Sequence, residues 1–163
     1  MSLTLSRFTG RTICLDTMLP YALLRGVDPA AEGFFARIEK GTLFAYTSAL
    51  TFDELAYRFL LALIKDRYGG SPLDRLRAYE ERLITEFAPI VSPELHRLRN
   101  FPHLTVVDVT AFDVDLMNQA MTQYAIRPRD ALHFAAMQRI TCFDLASHDQ
   151  HFDRIPQVRR YTL

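Results

Sequence analysis

"TICLDTMLPYALL" occupies Thr12 to Leu24, and its first five residues decide how the chain is built. "TICL" is apolar on both sides of the backbone, as a strand covered on two faces requires. The carboxylate of Asp16 follows at once, and Thr17–Leu24 has the pattern of a short helix. In sheets of parallel strands joined by helices, ligands sit beyond the carboxyl ends of the strands. An acid at that point is therefore a candidate for chemistry as well as for capping the next helix.

The alternation continues outward. Asp28 and Pro29 form an N-cap and first-turn pair that predicts a helix to about Lys40, stopped by Gly41. "TLFAYTS" is strand-like, and a long helix is predicted from about Ala49 to Tyr68, ended by Gly69-Gly70. Ser71-Pro72 opens another helix to about Phe87. Pro89, Pro93 and Pro102 predict an irregular stretch with one short helix near Pro93–Asn100. "LTVVDV" predicts a strand, Thr110 a helix to Tyr124, and Pro128 a helix to about Ile140. "CFDLAS" is a strand, Asp149–Ile155 a helical turn, and "VRRYTL" a last strand. Strands alternating with helices imply an α/β fold: a central, mostly parallel sheet with helices on both faces, in three layers.

The 163 residues suit one domain, 1–163, with a longer helical region at about 71–101. The formal net charge is zero, so no global basic field marks a nucleic-acid partner. Only Lys40 and Lys65 are lysines among nineteen cationic side chains, a bias that codon usage in a GC-rich genome explains better than phosphate binding. Cys14 and Cys142 sit in short apolar runs and read as buried free thiols, without a CxxC spacing. No signal-peptide pattern and no membrane-length apolar window is visible, which makes a reducing cytoplasm the expected compartment.

Four acids recur in telling places: Asp16 after the first strand, Glu54 about two turns into the long helix, Asp130 in the first turn after Pro128, and Asp149 after a strand end. In an α/β sheet, strand ends and the starts of following helices share one edge, so Asp16, Asp130 and Asp149 can converge, with Glu54 reaching them. Individually, the three Asp residues are also explained as caps. Glu54, among Phe52, Leu55 and Phe59, is harder to explain without a neutralising partner. Crowded carboxylates take up protons or a cation, and hard oxygen donors suit Mg²⁺ or Mn²⁺. Arg127 and Arg129 bracket Pro128 at the same edge and are candidates for phosphate contact. His133 reads as a packed histidine or a substrate contact. His148 and His151 lack the partners of a zinc site. Asp113 is read as part of a cap with Thr110, Asp108 as a spare acid, and Asp153 as a surface acid. Neither a nucleophile elbow nor a phosphate loop is present.

Taken in order, "ICLDT", Thr47-Ser48 with Glu54 downstream, "RPRDALHFAAM" and "SHDQHFDRI" resemble the successive signatures of the PIN-domain ribonucleases, most closely the VapC-type toxins of toxin–antitoxin pairs. The resemblance implies a PIN-like sandwich and a Mg²⁺- or Mn²⁺-dependent endoribonuclease. Its catalytic acids fall on Asp16, Glu54, Asp130 and Asp149, with Asp16, Asp130 and Asp149 as metal ligands. Ser147 matches the family's small hydroxyl residue, and Thr17 joins Ser147, Arg127 and Arg129 on the substrate side. An RNA substrate, a cognate antitoxin and a homodimer are implied in the same way. Met18 stands where the family usually carries Asn or Ser, and the region from about Ser71 to Phe101 is longer than in compact toxins. Met18 motivates an alternative, a non-catalytic RNA- or protein-binding module. A phosphatase of the Asp-x-Asp type would want an acid at position 18, and a receiver domain a Lys near the last strands.

Overall fold

The computed structural model describes Leu3 to Leu163; residues 1–2, the start of the domain expected over 1–163, lie outside the described residues. Six strands form one sheet: β1 (Leu3–Thr4), β2 (Thr12–Leu15), β3 (Phe44–Ser48), β4 (Leu104–Val107), β5 (Asp144–Ala146) and β6 (Arg159–Thr162). Their order across the sheet is β1-β6-β5-β2-β3-β4, and every pairing is parallel. Seven helices connect them: α1 (Met18–Arg25), α2 (Pro29–Glu39), α3 (Ala49–Tyr68), α4 (Pro72–Ala78), α5 (Glu80–Arg99), α6 (Ala111–Tyr124) and α7 (Pro128–Arg139).

The pleat sorts the core into two layers, because successive side chains of a strand point to opposite faces. Ile13 and Leu15 of β2 join Ala45, Leu104 and Ala146 in a cluster with Leu19 of α1, Phe34, Phe35 and Ile38 of α2, Leu55 of α3 and Leu98 of α5. Cys14, between them in sequence, faces the other way and packs with Leu145, Ala120 of α6, and Ala131, Phe134 and Met137 of α7. The α/β three-layer sandwich expected from the alternation is thus present. Cys14 and Cys142 are buried free thiols, as expected. No helix among the described residues is long and apolar enough to cross a membrane.

A third cluster stands apart from the sheet. Leu60 and Ile64 of α3, Leu76 of α4, and Leu83 and Phe87 of α5 form it, making a helical extension. Here the sequence reading needs correction. The helix opened by Ser71-Pro72 ends at Ala78, and Glu80 to Arg99 is one continuous helix with Pro89 and Pro93 inside it. Proline removes a backbone donor and crowds the preceding turn, costing ~3 kcal/mol in a helix interior. Both prolines lie on the exposed face, where the freed carbonyls meet water, while Leu83, Phe87, Val91 and Leu98 bury the opposite face. Burial along that stripe overrides the local signal. The two-residue strand β1 was also not expected; its partner β6 lies at the far end of the chain.

The chain order β2, β3, β4 runs toward one sheet edge, and β5 then returns to the other side of β2. Adjacent β2 and β5 therefore flank the point where the winding reverses, which is where open α/β sheets form their crevices.

Candidate active site

Asp16 leaves β2 at this reversal, and its backbone N–H donates to the Ala146 carbonyl of β5 at 3.0 Å. Both of its carboxylate oxygens are oriented. Oδ1 accepts from the Thr17 N–H at 2.7 Å, and Oδ2 accepts from the Ser147 hydroxyl at 2.5 Å. Ser147, fully buried after β5, accepts in turn from the Asp149 N–H at 3.0 Å. Asp149 Oδ1 accepts from the His151 N–H at 2.8 Å, capping the turn Gln150–Arg154. One chain of hydrogen bonds therefore fixes Thr17, Asp16, Ser147 and Asp149 relative to each other.

Glu54 arrives from α3, six residues after Ser48, which holds the N-cap position at the end of β3. Its Oε2 accepts from the buried Thr17 hydroxyl, and its Oε1 lies 3.0 Å from Arg129 Nε. The other end of the Arg129 fork pairs with Asp53. The neutralising partner that Glu54 needs is thus supplied by α7. Asp130 enters from the first turn of α7, where Pro128 occupies the first helical position. Its Oδ2 is buried and has no hydrogen-bond partner among the described residues. Burial, with Asp149 and then Asp16 nearby, pushes the Asp130 carboxyl up to about 6, against the opposing pull of His151 and Arg127.

Asp16, Thr17, Glu54, Arg127, Arg129, Asp130 and Asp149 line one cavity of about 500 Å³. Ser147 lies behind it, acting through Asp16 and Asp149. Arg58, Met18, His133 and His148 line the same cavity. Arg58 was not singled out from the sequence, although it sits one turn beyond Glu54 on α3. Arg127 makes no ion pair among the described residues, whereas Arg129 is held by acids. His133 is buried; its Nδ1 is 2.9 Å from Ser48 Oγ, and its Nε2 has no hydrogen-bond partner among the described residues. Burial holds its pKa below the ordinary imidazole value, outweighing Asp16 and Glu54, so the ring is neutral near pH 7.

Other acids are structural. Asp113 is fully buried, accepts from the Thr110 N–H at 2.7 Å and binds Arg139 at 3.0 Å. Burial raises its pKa, but the Thr110 and Arg139 hydrogen bonds outweigh that and leave it lowered. Asp153 forms a two-pronged pair with buried Arg160, which also donates to the Ser147 carbonyl at 3.2 Å. The carbonyl of Asp108 accepts from Arg139.

The donor set fits a divalent cation. Donor atoms of Asp130, Asp149 and His151 lie within 4.8 Å of one another, as do those of Asp16, Glu54 and His133. Orphaned Asp130 Oδ2 is the kind of atom a hard cation satisfies.

Similar folds occur among solved structures. VapBC2 from Rickettsia felis, bound to a promoter DNA fragment, aligns over 93% of this chain and 98% of its own with a TM-score of 0.60 and 14% identity. Mycobacterium tuberculosis VapC20, a Sarcin-Ricin loop cleaving toxin, aligns over 90% and 98% with a TM-score of 0.57 and 18% identity. A toxin–antitoxin complex from Klebsiella pneumoniae aligns over 90% and 94% with a TM-score of 0.51 and 14% identity. At such identities the likeness is one of fold. A search of curated proteins returns no match. The signature of the PIN domain, however, matches the sequence itself from residue 13 to 158, from the strand that delivers Asp16 past the turn that holds Asp149, and on that match the chain belongs to the PIN-domain family.

Proposed function

We propose that the chain is a Mg²⁺- or Mn²⁺-dependent endoribonuclease, acting in the cytoplasm as the toxin of a toxin–antitoxin pair. The observation that carries this reading is the convergence of Asp16, Glu54, Asp130 and Asp149 on one cavity whose lining also includes Arg58, Arg127 and Arg129. Membership in the PIN family supports it. The RNA cleavage ascribed to VapC20 and the antitoxin-bound state of the Klebsiella protein support the substrate and partner assigned here. A homodimer is proposed on the family likeness alone.

Asp16, Asp130 and Asp149 would hold the ion directly or through water. The ion would supply Lewis-acid polarisation of a phosphoryl oxygen and offset the carboxylate charge. Thr17 and Arg129 hold Glu54 at a set angle, so that it can complete the shell or orient an attacking water. Ser147 keeps Asp16 from rotating away from the cavity. Arg127 is free to meet a phosphate through its fork, with Arg129 and Arg58 beside it. Single-stranded or looped RNA fits best, because a recessed acidic cleft needs a backbone that can be drawn in.

The test is cleavage of a pooled RNA by purified protein with Mn²⁺, comparing wild type with Asp16→Asn and Asp130→Asn. Both variants should lose turnover, and EDTA should abolish it in wild type. Activity surviving either treatment removes the mechanism. A second reading, a binding module without turnover, is favoured by Met18, an apolar side chain lining the cavity. It expects RNA retention that weakens steeply with salt and no cleavage.

A further inference from the structure

Among the groups that the mechanism leaves unused, His133 is the most deeply buried whose surroundings ask for a ligand. Its side chain is 9% exposed, it lines the acidic cavity, and its Nε2 has no hydrogen-bond partner among the described residues. A buried ring nitrogen left unmatched costs free energy unless something binds it. Nε2 lies 3.9 Å from Glu54 Oε2, and Asp16, Glu54 and His133 each offer a donor atom within 4.8 Å of the others. With bonds of ~2.1 Å, two ligands of one ion are roughly 3.0 Å apart at right angles and roughly 4.2 Å apart when opposed. A separation of 3.9 Å falls between these.

Ser48 sets the ring. Its Oγ is 2.9 Å from His133 Nδ1 and sits at the junction of β3 and α3, the same junction that carries Glu54 inward. When Nδ1–H donates to Ser48 Oγ, the lone pair is on Nε2, facing the carboxylates. Metal-binding histidines have this arrangement, with the outer nitrogen donating to a fixed acceptor and the inner one free.

We propose that His133 is a nitrogen ligand, making Asp16, Glu54 and His133 a mixed nitrogen–oxygen position that selects Mn²⁺ over Mg²⁺. This rests on the metal-dependent reading above. Imidazole suits borderline first-row ions, whereas Mg²⁺ prefers oxygen and water. His151 is the rival source of nitrogen, since it lies beside Asp130 and Asp149. Its Nδ1 likewise has no hydrogen-bond partner among the described residues, but its side chain is more exposed, at 29% against 9% for His133.

The test uses the full chain with Mn²⁺ alone, followed by pulsed electron paramagnetic resonance, which detects nitrogen bonded directly to the ion. Wild type should show imidazole nitrogen coupling that changes on ¹⁵N-histidine labelling. His151→Gln, at a more exposed position, should retain the coupling, and His133→Gln should lose it. His133→Gln should weaken Mn²⁺ binding roughly tenfold or more while changing Mg²⁺ binding less than about threefold. Coupling lost in His151→Gln, or equal losses for both ions in His133→Gln, overturns the proposal. Mn²⁺ binding without nitrogen coupling in wild type overturns it too and leaves the nuclease reading standing. Failure of wild type to bind either ion removes both.

Discussion

Replacing Asp130 by Asn should abolish cleavage and, in the absence of metal, make the protein more stable. Asp130 is pushed from its usual value of 3.8 up to about 6, first by burial and then by Asp149 and Asp16. Moving the pKa from 3.8 to about 6 corresponds to about 3 kcal/mol against the ionised form. Because the folded pKa lies above the unfolded one, the protonated form favours the fold. The contribution is fully present below pH 3.8 and is lost as pH rises through about 6. Asn keeps the shape and removes the charge, so Asp130→Asn should match wild type near pH 4 and exceed it by up to about 3 kcal/mol at pH 7.5. In a chain of this size that is about 6–12 °C in Tm. The assay is thermal unfolding of both proteins in EDTA from pH 4 to 8, repeated with excess Mn²⁺. The ion should raise the wild-type Tm above pH 6 and close the gap, since a ligand stabilises only a state it binds. An Asn variant less stable than wild type at pH 7.5 in EDTA, or a gap that does not change with pH, would refute the claim that the cavity stores repulsion.

Ser147→Ala removes the hydroxyl that links Asp16 to the Asp149 backbone; turnover should fall roughly 10- to 100-fold, and stability by about 1–3 kcal/mol, read from initial rates and melts on the same samples. Asp113→Ala removes the buried carboxylate that accepts from the Thr110 N–H and from Arg139, leaving both donors without it; denaturant unfolding should register a loss of about 2–4 kcal/mol, and a change below about 1 kcal/mol would show that the α6 cap is unimportant. Because the Asp113 pKa is lowered, its share of stability should be present above pH 3.8 and disappear as pH falls below that value. Pro89→Ala restores a donor inside α5 on its exposed face and should stabilise the chain by about 1–3 kcal/mol with activity unchanged.

The parts of the fold legible in the sequence are those whose cause is local. Asp28 caps α2 by accepting from the Ala30 N–H at 2.8 Å, with Pro29 in the first turn. Gly41 and Gly69 adopt positive φ where helices end, and Thr110 with Asp113 forms the capping box their spacing suggests. Strand β1 escaped because two residues carry no periodic pattern and its pairing is with residues near Tyr161. Helix α5 escaped because proline is read as a break, whereas the stripe from Leu83 to Leu98 keeps the helix intact. Within the site, the type and position of each acid could be read from strand ends and helix starts. What neutralises Glu54 could not, since Arg129 is 75 residues away and reaches it only when α7 docks beside α3. Nor could the different fates of Arg127 and Arg129, which sequence alone makes equivalent.

The acids cannot escape one another by relaxing the backbone. Asp16 follows a strand whose Ile13, Cys14 and Leu15 are buried and which is paired on both sides by β3 and β5. Asp130 sits one residue before Ala131, the first of several almost fully buried side chains that lock α7 against the sheet. Moving either carboxylate by an ångström would disturb close-packed side chains, at a cost comparable to the repulsion it relieved. The remaining outlets are chemical: Glu54 is met by Arg129, Asp16 by Ser147 and the Thr17 N–H, and Asp130 by a proton or a cation. Because Asp130 keeps a buried oxygen without a hydrogen bond among the described residues, its charge depends on what occupies the cavity, and it couples metal binding to folding stability.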